Sequence, residues 1–136
     1  MEKYNKDFYF GFYCTFLEEQ AIRWTTRFGE GYVNTYNYHP DNSLKILKFE
    51  EMSEEWLDFI ISCRSGHPHE YDIVEGPIAD DTIYNYIQEY NDNKISREAF
   101  WSLVKFRYPT RQICFNTEKS LKTIKFFNAM KEYEQK

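Results

Sequence analysis

Few of the chain's 136 residues combine a reactive type with a spacing that chemistry demands. His67 and His69 flank Pro68, with Cys63 close before them, and could begin a metal site. Two histidines in a turn, however, lack a third ligand at a recognisable spacing, and no metal is expected. Asp80 and Asp81 could serve as general acid and base, but adjacent carboxylates where a helical pattern begins are explained more simply as caps. Cys14, Cys63 and Cys114 are odd in number and far apart, which predicts reduced thiols, no disulfide and a cytoplasmic setting. No G-x-G-x-x-G, P-loop, G-x-S-x-G or H-E-x-x-H occurs. Spacing alone therefore names no reaction.

The elements that must position any site are clearer. Asp7 to Phe28 reads DFYFGFYCTFLEEQAIRWTTRF, and its alternating aromatics around Gly11 predict a strand whose backbone something approaches closely at the glycine. Thr15 ends that strand, and with Glu18 three residues later it predicts a capping box opening a helix whose face carries Leu17, Ala21 and Trp24 and which ends near Gly29. Tyr32 to Tyr38 reads as a second strand, with Leu44 to Phe49 as its hairpin return after a turn at His39 to Asn42. Ser53 is a cap for a helix with Trp56, Phe59 and Ile60 as its buried stripe. Tyr71 to Glu75 is a short strand, and the acidic pair then caps a helix over Thr82 to Tyr90. Ser96 caps another through about Phe106. Gln112 to Phe115 is a further strand, and Thr117 caps a final helix with Leu121, Ile124 and Phe127 on its apolar face, leaving a frayed tail over 128–136. Strands and helices interleave without a regular βαβ period, so the class expected is α+β in one domain over residues 1–136.

Composition narrows the partners. The formal net charge of −5 removes the usual electrostatic drive toward a phosphate backbone, so nucleic acid is not the expected partner. The opening MEKYNKDFYF has no apolar signal region, and no run approaches the ~18 apolar residues of a membrane span, so neither export nor membrane insertion is expected. Aromatics make up 20% of the residues, and the 12 tyrosines supply amphipathic surface suited to lining a cleft as well as a core.

Three tracts taken together resemble a family of bacterial domains of unknown function placed in the ADP-ribosyltransferase superfamily. Asp7 to Thr15, followed by Glu19, Gln20, Ala21 and Trp24, is similar to the family's DFGxGFYxT strand and its EQAxxWA helix. Glu55 to Phe59 with Arg64 and the run Tyr71 to Asp81 is similar to its EWLDF and YDIVxGPxADD segments. Gln112 to Leu121 is similar to its QxxFxTEKAL ending. The likeness runs from about Asp7 to Phe127.

That resemblance implies a split-sheet fold in which NAD, as a substrate, lies in a cleft between two small sheets and ADP-ribose passes to an unknown acceptor, a protein being one candidate. It assigns Tyr13 to the second of the superfamily's three NAD-binding motifs and Gln112 to the third. Trp24 is assigned to stacking on nicotinamide, and Gly11 to the strand beside the cofactor. A neutral glutamine can hold a ribose hydroxyl but cannot act as a base. The resemblance also implies a first strand with a YHGS-like segment before Met1, which this chain does not carry and for which His39, His67 and His69 cannot substitute. Tyr9 replaces a glycine of the DFGxG pattern, which is expected to narrow access to the cleft. The alternative reading is therefore a truncated, non-catalytic interaction domain with the same fold, a toxin-system remnant or decoy.

Overall fold

A computed structural model describes residues 6–27, 29–107 and 109–133. The elements run β1 (Phe12–Cys14), α1 (Glu18–Thr26), β2 (Glu30–Tyr38), β3 (Ile46–Lys48), α2 (Glu54–Arg64), β4 (Ile73–Pro77), α3 (Asp81–Asn91), α4 (Arg97–Val104), β5 (Arg111–Phe115), α5 (Glu118–Leu121) and β6 (Ile124–Tyr133). The class is α+β, with one sheet ordered β1-β5-β4-β3 and a separate ribbon of β2 and β6. No helix among the described residues is long and apolar enough to cross a membrane. The chain divides into two compact units that interleave in sequence.

The first unit, made of residues 1–10, 48–69 and 76–111, is helical. Each of its helices starts where a short polar side chain satisfies an orphan amide. Ser53 accepts from Trp56 N, Asp80 from Ile83 N and Ser96 from Ala99 N. Their inner faces bury Trp56, Leu57, Ile60, Ile83, Phe100 and Val104 around Phe8. The Trp56 indole does not remain a wasted donor in this core, since it donates to Pro77 O at 2.7 Å.

Asp7 is the polar exception in that core. Its side chain is 2% exposed, and it accepts from Arg64 Nε at 2.6 Å and from Ala79 N at 2.7 Å. The Arg64 guanidinium also stacks 3.7 Å from the Tyr84 ring centroid. Burial pushes the Asp7 carboxyl above the ordinary range, against the pull of Arg64. The pair therefore ties the N-terminal segment to α2 and to the start of α3 through one buried charge.

The second unit, residues 11–47, 70–75 and 112–136, holds the ribbon, α1 and most of the sheet. Leu44, Ile73, Ile113 and Phe115 form its buried cluster, with Cys14, Tyr38 and Ile124 packed against it. Asp72 fastens the loops beside it, accepting from Lys45 N at 3.0 Å and from Thr117 Oγ1 at 2.8 Å. Those bonds, the backbone amide first, hold the Asp72 carboxyl below its usual range.

Four expectations need correction. Leu44 to Phe49 does not return on β2, because β2 pairs antiparallel with β6 along its whole length, from Glu30↔Tyr133 to Tyr38↔Ile124. The final helix is only the four residues of α5, and Ile124, Phe127 and residues 128–133 of the supposed frayed tail belong to β6. Residues 134–136 lie outside the described residues. The opening strand shrinks to Phe12–Cys14, because Tyr9 has φ 71°, a left-handed conformation that no strand continues through. Thr15 is not the cap of α1 either. Leu17 is, without a side-chain bond, while Thr15 Oγ1 accepts from Leu17 N at 3.1 Å in a local turn.

Two outcomes follow. Asp7→Ala and Arg64→Ala each lower unfolding stability by roughly 3 kcal/mol, and the double variant by clearly less than their sum, because each single change strands a buried partner. Urea titration of the four proteins measures this, and strict additivity contradicts the assignment. At position 9 the usual order of side chains reverses, with Tyr9→Gly more stable than Tyr9→Ala by about 1 kcal/mol because only glycine occupies that backbone without strain.

Candidate functional site

A cleft of about 660 Å³ opens in the second unit between β1, α1 and the β2–β6 ribbon. That volume lies within the range of small-molecule sites. Its walls are rings that brace one another edge to face. Phe12 meets Tyr36 with centroids 5.6 Å apart, Tyr36 meets Phe126 at 5.8 Å, and Tyr38 meets Phe115 at 5.7 Å. The Tyr38 hydroxyl is held above its ordinary pKa by burial first and then by the Glu75 carboxylate. It stays neutral at physiological pH.

Strand alternation decides which side chains face this space. In the β1–β5 ladder Phe12 stands opposite Phe115 and Cys14 opposite Ile113, and all four line the cleft. Tyr13 stands opposite Cys114, on the reverse face, where it hydrogen-bonds the Cys114 thiol. Tyr13 nonetheless also borders the cleft. Gln112, two residues before Cys114, shares that reverse face and is absent from the cleft lining. Tyr13 and Gln112 are thus brought near each other by the ladder, while Trp24 belongs to the opposite side, lining the cleft from α1 with 40% of its surface exposed.

The two remaining sequence signals resolve differently. Gly11 is closely approached, but by its own sheet: a Cβ there would fall 2.6 Å from Cys114 Sγ and 2.8 Å from Phe115 O. Tyr9 belongs to the first unit, edge-on to His69 at 6.3 Å, and does not line the cleft. Among the described residues no three His, Cys, Asp or Glu side chains converge as a metal site.

Two carboxylates line the cleft, Glu18 at the start of α1, which the sequence marked only as a capping residue, and Glu132 near the end of β6, which it did not mark. Glu132 follows from a signal that was present, the alternation Ile124, Phe126, Asn128, Met130, Glu132, which has the period of a strand. Helical spacing of Leu121, Ile124 and Phe127 overlaid it. Among the described residues no Lys, Arg or His contributes to the lining, so the formal charge of those residues is negative.

None of the three thiols is joined in a disulfide, and burial suppresses the two in β1 and β5, with Cys14 pushed up to about 11 and Cys114 to about 12. Neither is a ready nucleophile. Native protein treated with iodoacetamide at pH 8 is expected to label Cys14 at least about tenfold more slowly than the unfolded chain. Peptide mapping reads that ratio, and equal rates contradict the buried setting.

No curated protein and no solved structure matches the chain. Over residues 1–126 it matches the family described as protein of unknown function (DUF3990). Covering all but the last few residues of the chain, that match makes it a member of the DUF3990 family.

Proposed function

We propose that the protein is an ADP-ribosyltransferase-like domain that takes NAD as substrate in the aromatic cleft and passes ADP-ribose to an acceptor. The observation that carries this reading is Trp24. The ring that the family resemblance assigns to nicotinamide stands in a cleft of about 660 Å³, walled by further rings and bordered by carboxylates. In such a reaction the bond between ribose C1 and the nicotinamide nitrogen breaks, and its electron pair leaves with the ring as neutral nicotinamide. The acceptor's nucleophile forms the new bond to C1 and gives up its proton. Positive charge gathers on the ribose meanwhile, and a carboxylate beside it lowers that barrier.

Glu132 and Glu18 suit this role better than Gln112, whose strand position turns it to the other face of the sheet. A second reading, a non-catalytic interaction domain on the same fold, draws support from the exposed apolar side chains of the ribbon and its surroundings. Phe16, Phe126, Phe127, Met130 and Tyr133 are each more than half exposed, and surface of that kind marks interaction sites.

Calorimetry with NAD tests the first reading. Saturable binding at millimolar NAD is expected, weakened about fivefold in Trp24→Ala through loss of ring stacking, and nearly unchanged in Gln112→Ala. Absence of heat at millimolar NAD, or a Trp24→Ala protein that binds as the parent does, removes the reading. Release of nicotinamide from bound NAD, lowered by about two orders of magnitude in Glu132→Gln, separates the enzyme from the interaction domain.

A further inference from the structure

We infer that the cleft selects its ligand by positive charge, and that the chemical class it takes is a flat organic cation. This deepens the NAD reading and rests on it for the placement of a ligand in the cleft. Two independent features of the lining point the same way.

The first is the aromatic wall. Phe12, Trp24, Tyr36 and Tyr38 present π-systems whose faces carry negative quadrupole charge, and a cation gains over them what a neutral ring does not. The second is the pair of carboxylates, Glu18 and Glu132, on the same lining. Neither is matched by a Lys, Arg or His among the described residues of the lining. On β6, Lys131 lies between Met130 and Glu132 but is itself absent from the lining; it pairs with Glu30 at 3.3 Å and lies 5.6 Å from the Tyr133 ring centroid.

An anion therefore finds no cationic partner among the described lining side chains. A phosphate placed against Glu18 or Glu132 would meet like charge, which costs rather than gains free energy. For a dinucleotide this divides the molecule. Its pyridinium end enters between the rings, and its pyrophosphate stays outside the lining in solvent. The acidic first turn of α1, Glu18 and Glu19, reinforces the division, since these side chains already complement the helix dipole to which a phosphate is otherwise drawn.

The test uses two small rings that differ by a methyl group and a charge. 1-Methylnicotinamide, a cation, is expected to bind about tenfold more tightly than neutral nicotinamide, and the preference is expected to shrink in 1 M salt and in the Glu18→Gln, Glu132→Gln double variant, with circular dichroism confirming its fold. ADP-ribose, which lacks the cationic ring, is expected to bind more weakly than NAD. Equal affinity for the two rings, or binding of neither, overturns the charge selection. The NAD reading can fail separately: if 1-methylnicotinamide binds and NAD does not, the cation site stands and the substrate assignment falls. If NAD binds while the two rings are not distinguished, the substrate assignment stands and charge selection is wrong.

Discussion

Tyr13 faces Cys114 across the β1–β5 ladder, and that one register fixes the side on which every other residue of both strands stands. Because the side-chain period of a strand is two, a slip of a single residue would exchange the two faces completely. In the observed register Phe12, Cys14, Ile113 and Phe115 make the cleft's floor, and Tyr13, Gln112 and Cys114 make the reverse. The pairing is guarded by Gly11, where any side chain would collide with Cys114 and Phe115. A larger residue there forces β1 away from β5 and takes the floor with it. The glycine that the sequence marked as a point of close approach is thus needed by the protein's own sheet before any ligand is considered.

Features set by local chemistry were legible in the sequence. Ser53, Asp80, Ser96 and Thr117 each cap a helix, because an N-cap bond involves residues only two or three apart. The helical stripe of Trp56 and Ile60 is buried as its spacing implied. What escaped was nonlocal. Which strand β2 pairs with is decided by a segment some ninety residues away, and no property of Tyr32 to Tyr38 distinguishes β6 from β3 as its neighbour. Leu121, Ile124 and Phe127 fit a helix as well as Ile124, Phe126 and Asn128 fit a strand, and tertiary pairing broke the tie.

The candidate site was legible in the same uneven way. Trp24 could be placed because a helix face is a local property, and it does line the cleft. Tyr13 borders the cleft as well, whereas Gln112 could not be placed, since its facing depends on the register just described. Glu132 was hidden by its location in a stretch read as tail. Tyr9 carries a related lesson in backbone terms. The chain there adopts the left-handed conformation that glycine allows, with a tyrosine held at φ 71°. Such strain survives only where the surroundings over-determine it, and Asp7, two residues earlier, is locked by Arg64 and Ala79, with Phe8 buried between them.

The cleft itself is a consequence of how the ribbon is held. An isolated two-stranded ribbon is marginal in water, so β2 and β6 must be fixed at their ends. One end is anchored where Tyr38 and Ile124 pack on the cluster of Leu44, Ile73, Ile113 and Phe115. The other is anchored where α1 reaches β2: Thr25 Oγ1 donates to Tyr32 O at 2.9 Å, and Gly31 has no Cβ because Thr25 occupies that space. Between the two anchors the cleft is lined by the rings of Phe12, Trp24, Tyr36 and Tyr38 together with Leu17, Ala21, Val33 and Met130. Rings are rigid and pack edge to face, so they brace the walls against collapse. The same property that keeps the space open gives it a face for a planar cation, so that support of the fold and recognition of a ligand are carried by one set of side chains.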